Sequence, residues 1–96
     1  MGYIYIIWSI NFGENVYKII KGSNTYIPQP GIEIINRFHM INETLAEQFL
    51  RSALYRFKYN DEFYRCPKEW LELACQYVQR KINRDEDIMD LDLPWL

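Results

Sequence analysis

The sequence predicts an α+β fold: a three-stranded, mainly antiparallel sheet followed by two packed helices. Two observations lead to this reading. The first forty residues hold short runs rich in Ile and Tyr, each bounded by turn residues. Residues 43–82 then change to apolar spacings of three and four, the period of an amphipathic helix. Ninety-six residues with eight Tyr, five Phe and three Trp suffice for one domain whose large rings supply much of the burial.

The first strand covers residues 3–8. Tyr3, Tyr5 and Ile7 alternate with Ile4, Ile6 and Trp8, so both faces are apolar or aromatic, as in a central strand covered on both sides. Ser9 to Asn15 is a loop with Gly13-Glu14-Asn15 as its turn. A second strand over 16–21 returns antiparallel to the first. Residues 22–31 contain two Pro, two Gly, Ser and Asn, which excludes a useful helix there. Strand character resumes over 32–38, with Ile32, Ile34 and Phe38 on one face, and the lone His39 follows it.

The first helix is predicted over 43–57, where Leu45, Ala46, Phe49, Leu50, Ala53, Leu54 and Phe57 form a continuous apolar stripe. Thr44-Leu45-Ala46-Glu47 has the form of a capping box, in which Glu47 would satisfy a backbone N–H at the helix start. Glu47, Arg51, Tyr55 and Lys58 follow one polar side. They read either as a solvated face with an i, i+4 ion pair or as a metal-and-phosphate stripe. Glu62-Phe63-Tyr64 reads as a hydrophobic connection whose rings cover the core. The second helix starts near Pro67 and runs to about Ile82, with Trp70, Leu71, Ala74, Tyr77, Val78 and Ile82 inward.

The organisation expected is a body over 1–83 and an acidic-hydrophobic tail over 84–96. The tail holds one Arg against Asp85, Glu86, Asp87, Asp90 and Asp92, a net −4, which leaves +2 on the body out of the total −2. A mildly basic body is compatible with nucleic-acid contact. The tail suits docking in a partner groove through Leu93, Trp95 and Leu96, or folding back on the body in competition with DNA.

Cys75 falls on the apolar side of the second helix, where a free thiol packs as a small hydrophobe; a disulfide with Cys66 stays open, and two Cys with one His are too few for a ready zinc site. No run approaches the roughly 18 apolar residues of a membrane span, and the amino end lacks the features of a signal peptide. Ile6 stands where a myristoylation signal wants Ser or Thr. An intracellular setting is expected.

Gly2-Tyr3-Ile4-Tyr5, Lys18-Ile19-Ile20, Glu47 and Glu62-Phe63-Tyr64, in that order, resemble the GIY-YIG nuclease superfamily, most closely its phage and large-DNA-virus branch. The likeness covers most of residues 2–80. There a G-Y-x-Y strand precedes a K-I-G strand, a helix glutamate and an E-F/W-F/Y element. Ile20 stands in the glycine position, and residues 22–31 carry no arginine where the family places its arginine helix. The resemblance implies metal-dependent phosphodiester cleavage, in which a cation and fixed donors stabilise charge on the attacked phosphate. By this resemblance Glu47 would hold Mg2+, Tyr5 or Lys18 would assist water attack, and Arg51 or Arg37 would stabilise the phosphate. Lys21, Arg37, Arg51 and Lys58 are the expected DNA contacts. The alternative is a non-enzymatic protein-interaction module working through the tail.

Overall fold

The computed structural model describes residues 2–60, 62–84 and Trp95. Three long strands lead the chain: β1 (Gly2–Trp8), β2 (Val16–Gly22) and β3 (Glu33–Met40). They are followed by α1 (Glu43–Ala53), a 3-10 turn (Tyr55–Phe57), a short β4 (Phe63–Arg65) and α2 (Lys68–Asn83). The α+β class is as expected, but the sheet has four strands in the order β3-β1-β2-β4, all antiparallel. The fourth strand comes from Glu62-Phe63-Tyr64, which is thus not merely a connection. Phe63, Tyr64 and Arg65 pair with Lys18, Tyr17 and Val16.

The β1–β2 hairpin is built by its loop. Gly13 (φ 102°) and Asn15 (φ 59°) take left-handed backbone, open to Gly and tolerated by Asn. The Trp8 indole donates to the Gly13 carbonyl at 2.9 Å, and the Cys66 amide donates to the Asn15 carbonyl at 3.0 Å. One loop therefore ties β1 to the chain just after β4. On the other side of β1 the register slips between Ile6 and Ile7, leaving Ile35 as an extra residue in β3. Ile35 packs against the core. β3 extends to Met40, so His39 lies within it, its ring edge-on to Tyr3 at 5.3 Å, rather than after it.

The two sheet faces differ. Ile4, Ile6, Tyr17, Phe38 and Met40 pack against Ala46, Leu50 and Leu54 and against Leu71, Ala74, Cys75, Tyr77 and Val78 of α2. Burying each large aliphatic side chain stabilises the fold by about 1.5–3 kcal/mol. The opposite face carries Tyr3, Tyr5, Ile7, Lys18, Ile20 and Arg37, since paired residues share a face and Tyr5 pairs with both Ile20 and Arg37.

Helix α1 stops at Ala53, shorter than the periodicity suggests, and Leu45 of the predicted stripe is exposed. At its start the cap is Asn42, whose Oδ1 accepts from the Leu45 amide at 3.1 Å. The capping-box reading of Thr44 and Glu47 is therefore corrected: Glu47 lies in the second turn, beyond the amides a cap serves. At the other end the Trp95 indole donates to the Ala53 carbonyl at 3.0 Å, and the chain tightens into the 3-10 turn. This places Phe57 5.2 Å from Trp70 and 5.2 Å from Trp95, with the two indoles stacked at 5.5 Å. Arg56 Nη1 also donates to the Trp95 carbonyl.

Trp95 is thus part of the chain's own core, not a side chain offered to a partner as the tail reading had it. The acidic run 85–92, Leu93 and Leu96 lie outside the described residues. No described helix is long and apolar enough to cross a membrane. Cys66 and Cys75 are buried free thiols. Burial pushes Cys66 up to about 11 and Cys75 further in the same direction, so neither forms a reactive thiolate near neutrality.

Candidate functional site

β2 is seven residues long and β4 only three, so beyond Lys18 the outer edge of β2 has no partner strand among the described residues. A cleft of about 270 Å³ wraps around this open edge. Its charged lining comes from three places: Lys18 and Lys21 from β2, Glu47 and Arg51 from α1, and Glu62 from the approach to β4. Among the described residues three cations therefore face two carboxylates, and Tyr64 closes one side.

The local fold explains why these groups meet. Lys21 pairs with Ile4, whose side chain faces the helices, so Lys21 projects toward α1. There its Nζ lies 3.5 Å from Thr44 Oγ1 and 3.8 Å from Glu47 Oε1. Arg51, one helical turn after Glu47, brings Nη2 to 3.8 Å from the same oxygen. Lys18 Nζ is 3.6 Å from Glu62 Oε2. The three ion-pair separations exceed a hydrogen bond, so the carboxylates hold these partly exposed cations by charge, with Lys21 also donating a long hydrogen bond to Thr44.

Of the residues singled out from the sequence, Glu47, Arg51, Lys18 and Lys21 line this one cleft. Tyr5 does not. It is 1 % exposed on the other face of the sheet, its hydroxyl donates to the Ser23 carbonyl, and its ring lies 4.9 Å from Tyr26. It anchors the 23–32 loop. Arg37 sits on β3, across β1 from β2, with its guanidinium 5.4 Å over the Tyr3 ring. Lys58 follows the 3-10 turn and bridges to Tyr64, so it and Tyr55 leave the stripe where α1 ends.

Tyr64 is the residue that sequence reasoning did not place. Burial is the main cause raising its hydroxyl above the usual tyrosine value; Glu47 adds to this and Arg51 opposes it. At neutral pH the group is a protonated hydrogen-bond donor facing the cleft. Its signal was present in Glu62-Phe63-Tyr64, but only the β2–β4 pairing shows which side of the strand it occupies.

Among the described residues no group of three or more His, Cys, Asp or Glu comes together. Magnesium, however, commonly takes only one or two carboxylates and completes its shell with water and substrate phosphate. Glu47 is one carboxylate of that kind, and it lies 3.8 Å from both Lys21 and Arg51. Comparison with family models, with curated proteins and with solved structures finds no match to this chain. The functional reading therefore rests on the chemistry of the cleft.

Proposed function

We propose that the chain binds the phosphodiester backbone of DNA in the cleft at the open edge of β2, and that with magnesium it cleaves that backbone. The observation that carries this reading is the convergence of Lys18, Lys21 and Arg51 on one cleft, with Glu47 between two of them. A phosphate entering the cleft would exchange two long ion pairs to Glu47 for charge-assisted hydrogen bonds from Lys21 and Arg51. The Arg51 fork suits two phosphate oxygens, and Lys21 acts as a point charge. Tyr64 would donate its hydroxyl to a third oxygen.

In this arrangement Glu47 is released from its cations as the phosphate binds, and it is the carboxylate that would hold magnesium. When bound, the metal supplies Lewis-acid stabilisation of the phosphate and a more acidic water. Arg51 and Lys21 would stabilise the charge that grows on the phosphate oxygens during attack. Tyr5, which the resemblance would have assisting the water, has no part in this proposal because its hydroxyl is engaged by Ser23.

The test is a pair of assays on one labelled duplex. Fluorescence anisotropy should show binding that weakens steeply with salt, as counterion release requires. Incubation with magnesium should produce nicks that Glu47→Gln eliminates. Binding without nicking would reduce the function to a backbone-binding module, and absence of both would end the reading.

A further inference from the structure

A second cavity, of about 420 Å³, lies on the sheet face away from the helices. Its walls are Phe12 from the β1–β2 loop, Ile20 from β2, Tyr26, Ile27 and Gln29 from the 23–32 loop, and Phe63 from β4. The volume is within the range of about 300–1,000 Å³ typical of small-ligand sites. Lys18 and Ile20 line this groove and the charged cleft alike, so the two meet around the same strand edge. Among the described residues no carboxylate lines the groove.

We infer that the groove takes an unpaired nucleobase whose phosphate lies in the adjoining cleft, so that the preferred ligand is single-stranded or flapped DNA. This rests on the phosphate-binding reading of the cleft and adds the class of strand to it. Chemistry favours this occupant in three ways. Phe12 and Phe63 meet edge-to-face at 4.8 Å and, with Tyr26, offer aromatic surface to a flat ring. Gln29 has both a donor and an acceptor for the edge of a base. Lys18, between groove and cleft, supplies positive charge where the sugar-phosphate would cross.

A base inside a duplex has its faces stacked and its edge paired, and cannot enter such a groove without first leaving the helix. Tyr5 contributes indirectly. By holding the Ser23 carbonyl and packing on Tyr26 it fixes the loop that forms one wall. Ile20, where the family pattern has glycine, forms part of the lining of the groove.

The experiment compares a single-stranded oligonucleotide bearing 2-aminopurine with the same strand annealed to its complement, at equal salt. Wild-type protein should bind the single strand about tenfold more tightly, with a change in 2-aminopurine fluorescence that reports stacking. Phe12→Ala and Ile27→Ser should each remove most of that preference and leave duplex affinity unchanged. Ile27 is 84 % exposed, so its replacement keeps the fold even if Phe12→Ala weakens it. Lys21→Ala should weaken both ligands alike. Equal affinity for the two wild-type ligands, or equal losses on both in Ile27→Ser, would overturn this inference alone. Failure of both ligands to bind would overturn the cleft reading and this one with it.

Discussion

Glu47 Oε1 lies 3.8 Å from Lys21 Nζ and 3.8 Å from Arg51 Nη2, so one carboxylate oxygen joins a strand cation to a helix cation. The Glu47 side chain is 22 % exposed, whereas its partners are 43 % and 70 % exposed. The carboxylate is the sheltered member and the cations are the exposed ones. On the cleft reading, that asymmetry would let a phosphate draw the cations from Glu47 without moving the helix.

Glu47→Gln should therefore strengthen DNA binding in the absence of magnesium, because it removes a negative charge that competes for Lys21 and Arg51. The stability change should be small, within about 1 kcal/mol, as for partly exposed ion pairs. Anisotropy titration and urea denaturation of the same variant measure the two effects separately. Weaker binding would mean that Glu47 positions the cations rather than competing for them.

Asn42→Ala should lower stability by about 1 kcal/mol, through loss of the hydrogen bond to the Leu45 amide. Thr44→Ala should have no comparable effect, since the cap lies two residues earlier. A shift in Tm of about 4–8 °C for Asn42→Ala is expected for a domain of this size. DNA affinity should stay the same in Asn42→Ala.

Those two residues also illustrate what the sequence could reveal. Asn42 and Thr44 each precede the apolar period as an acceptable cap, and Glu three after Thr44 favoured the wrong one. The three long strands were legible because each is a run rich in Ile or Tyr, long enough to stand out between turn residues. β4 was not, because three residues define none; it exists because β2 offers an edge for Phe63–Arg65 to pair with. Spacing on α1 was enough to group Glu47 with Arg51. Adding Lys21 required the β1–β2 register, and excluding Tyr5 required knowing which sheet face the helices cover.

Trp95→Ala should destabilise the fold by about 3 kcal/mol, the lower end for removing a buried aromatic ring. It removes ring contacts with Phe57 and Trp70 and the hydrogen bond to Ala53. Equilibrium urea denaturation measures this. An unchanged midpoint would free Trp95 for a partner and restore the tail reading. Because Trp95 is structural, the charge of the tail is better tested by changing Asp85, Glu86 and Asp87 to amides than by truncation.

Stability should decline as pH rises from about 9 toward about 11. The unfolded Cys66 thiol ionises from its ordinary value of 9.0, whereas the buried thiol keeps its proton up to about 11. Over that window the unfolded state binds fewer protons, which favours unfolding as pH rises. Cys75 and Tyr64, both raised by burial, act in the same direction. Cys66→Ala should make the decline shallower, read as urea midpoints at pH 8, 9 and 10 by the linkage relation. An identical slope would mean that Cys66 titrates alike in the folded and unfolded states.

The most direct test of the central claim is the salt dependence of DNA binding by wild type and by the Lys21→Ala/Arg51→Ala double variant. The cleft reading predicts a linear fall of log affinity with log salt, its slope less steep in the variant by about two phosphate contacts, roughly 1.8 for a duplex. Identical slopes in the two proteins, or no measurable affinity in wild type at low salt, would contradict it.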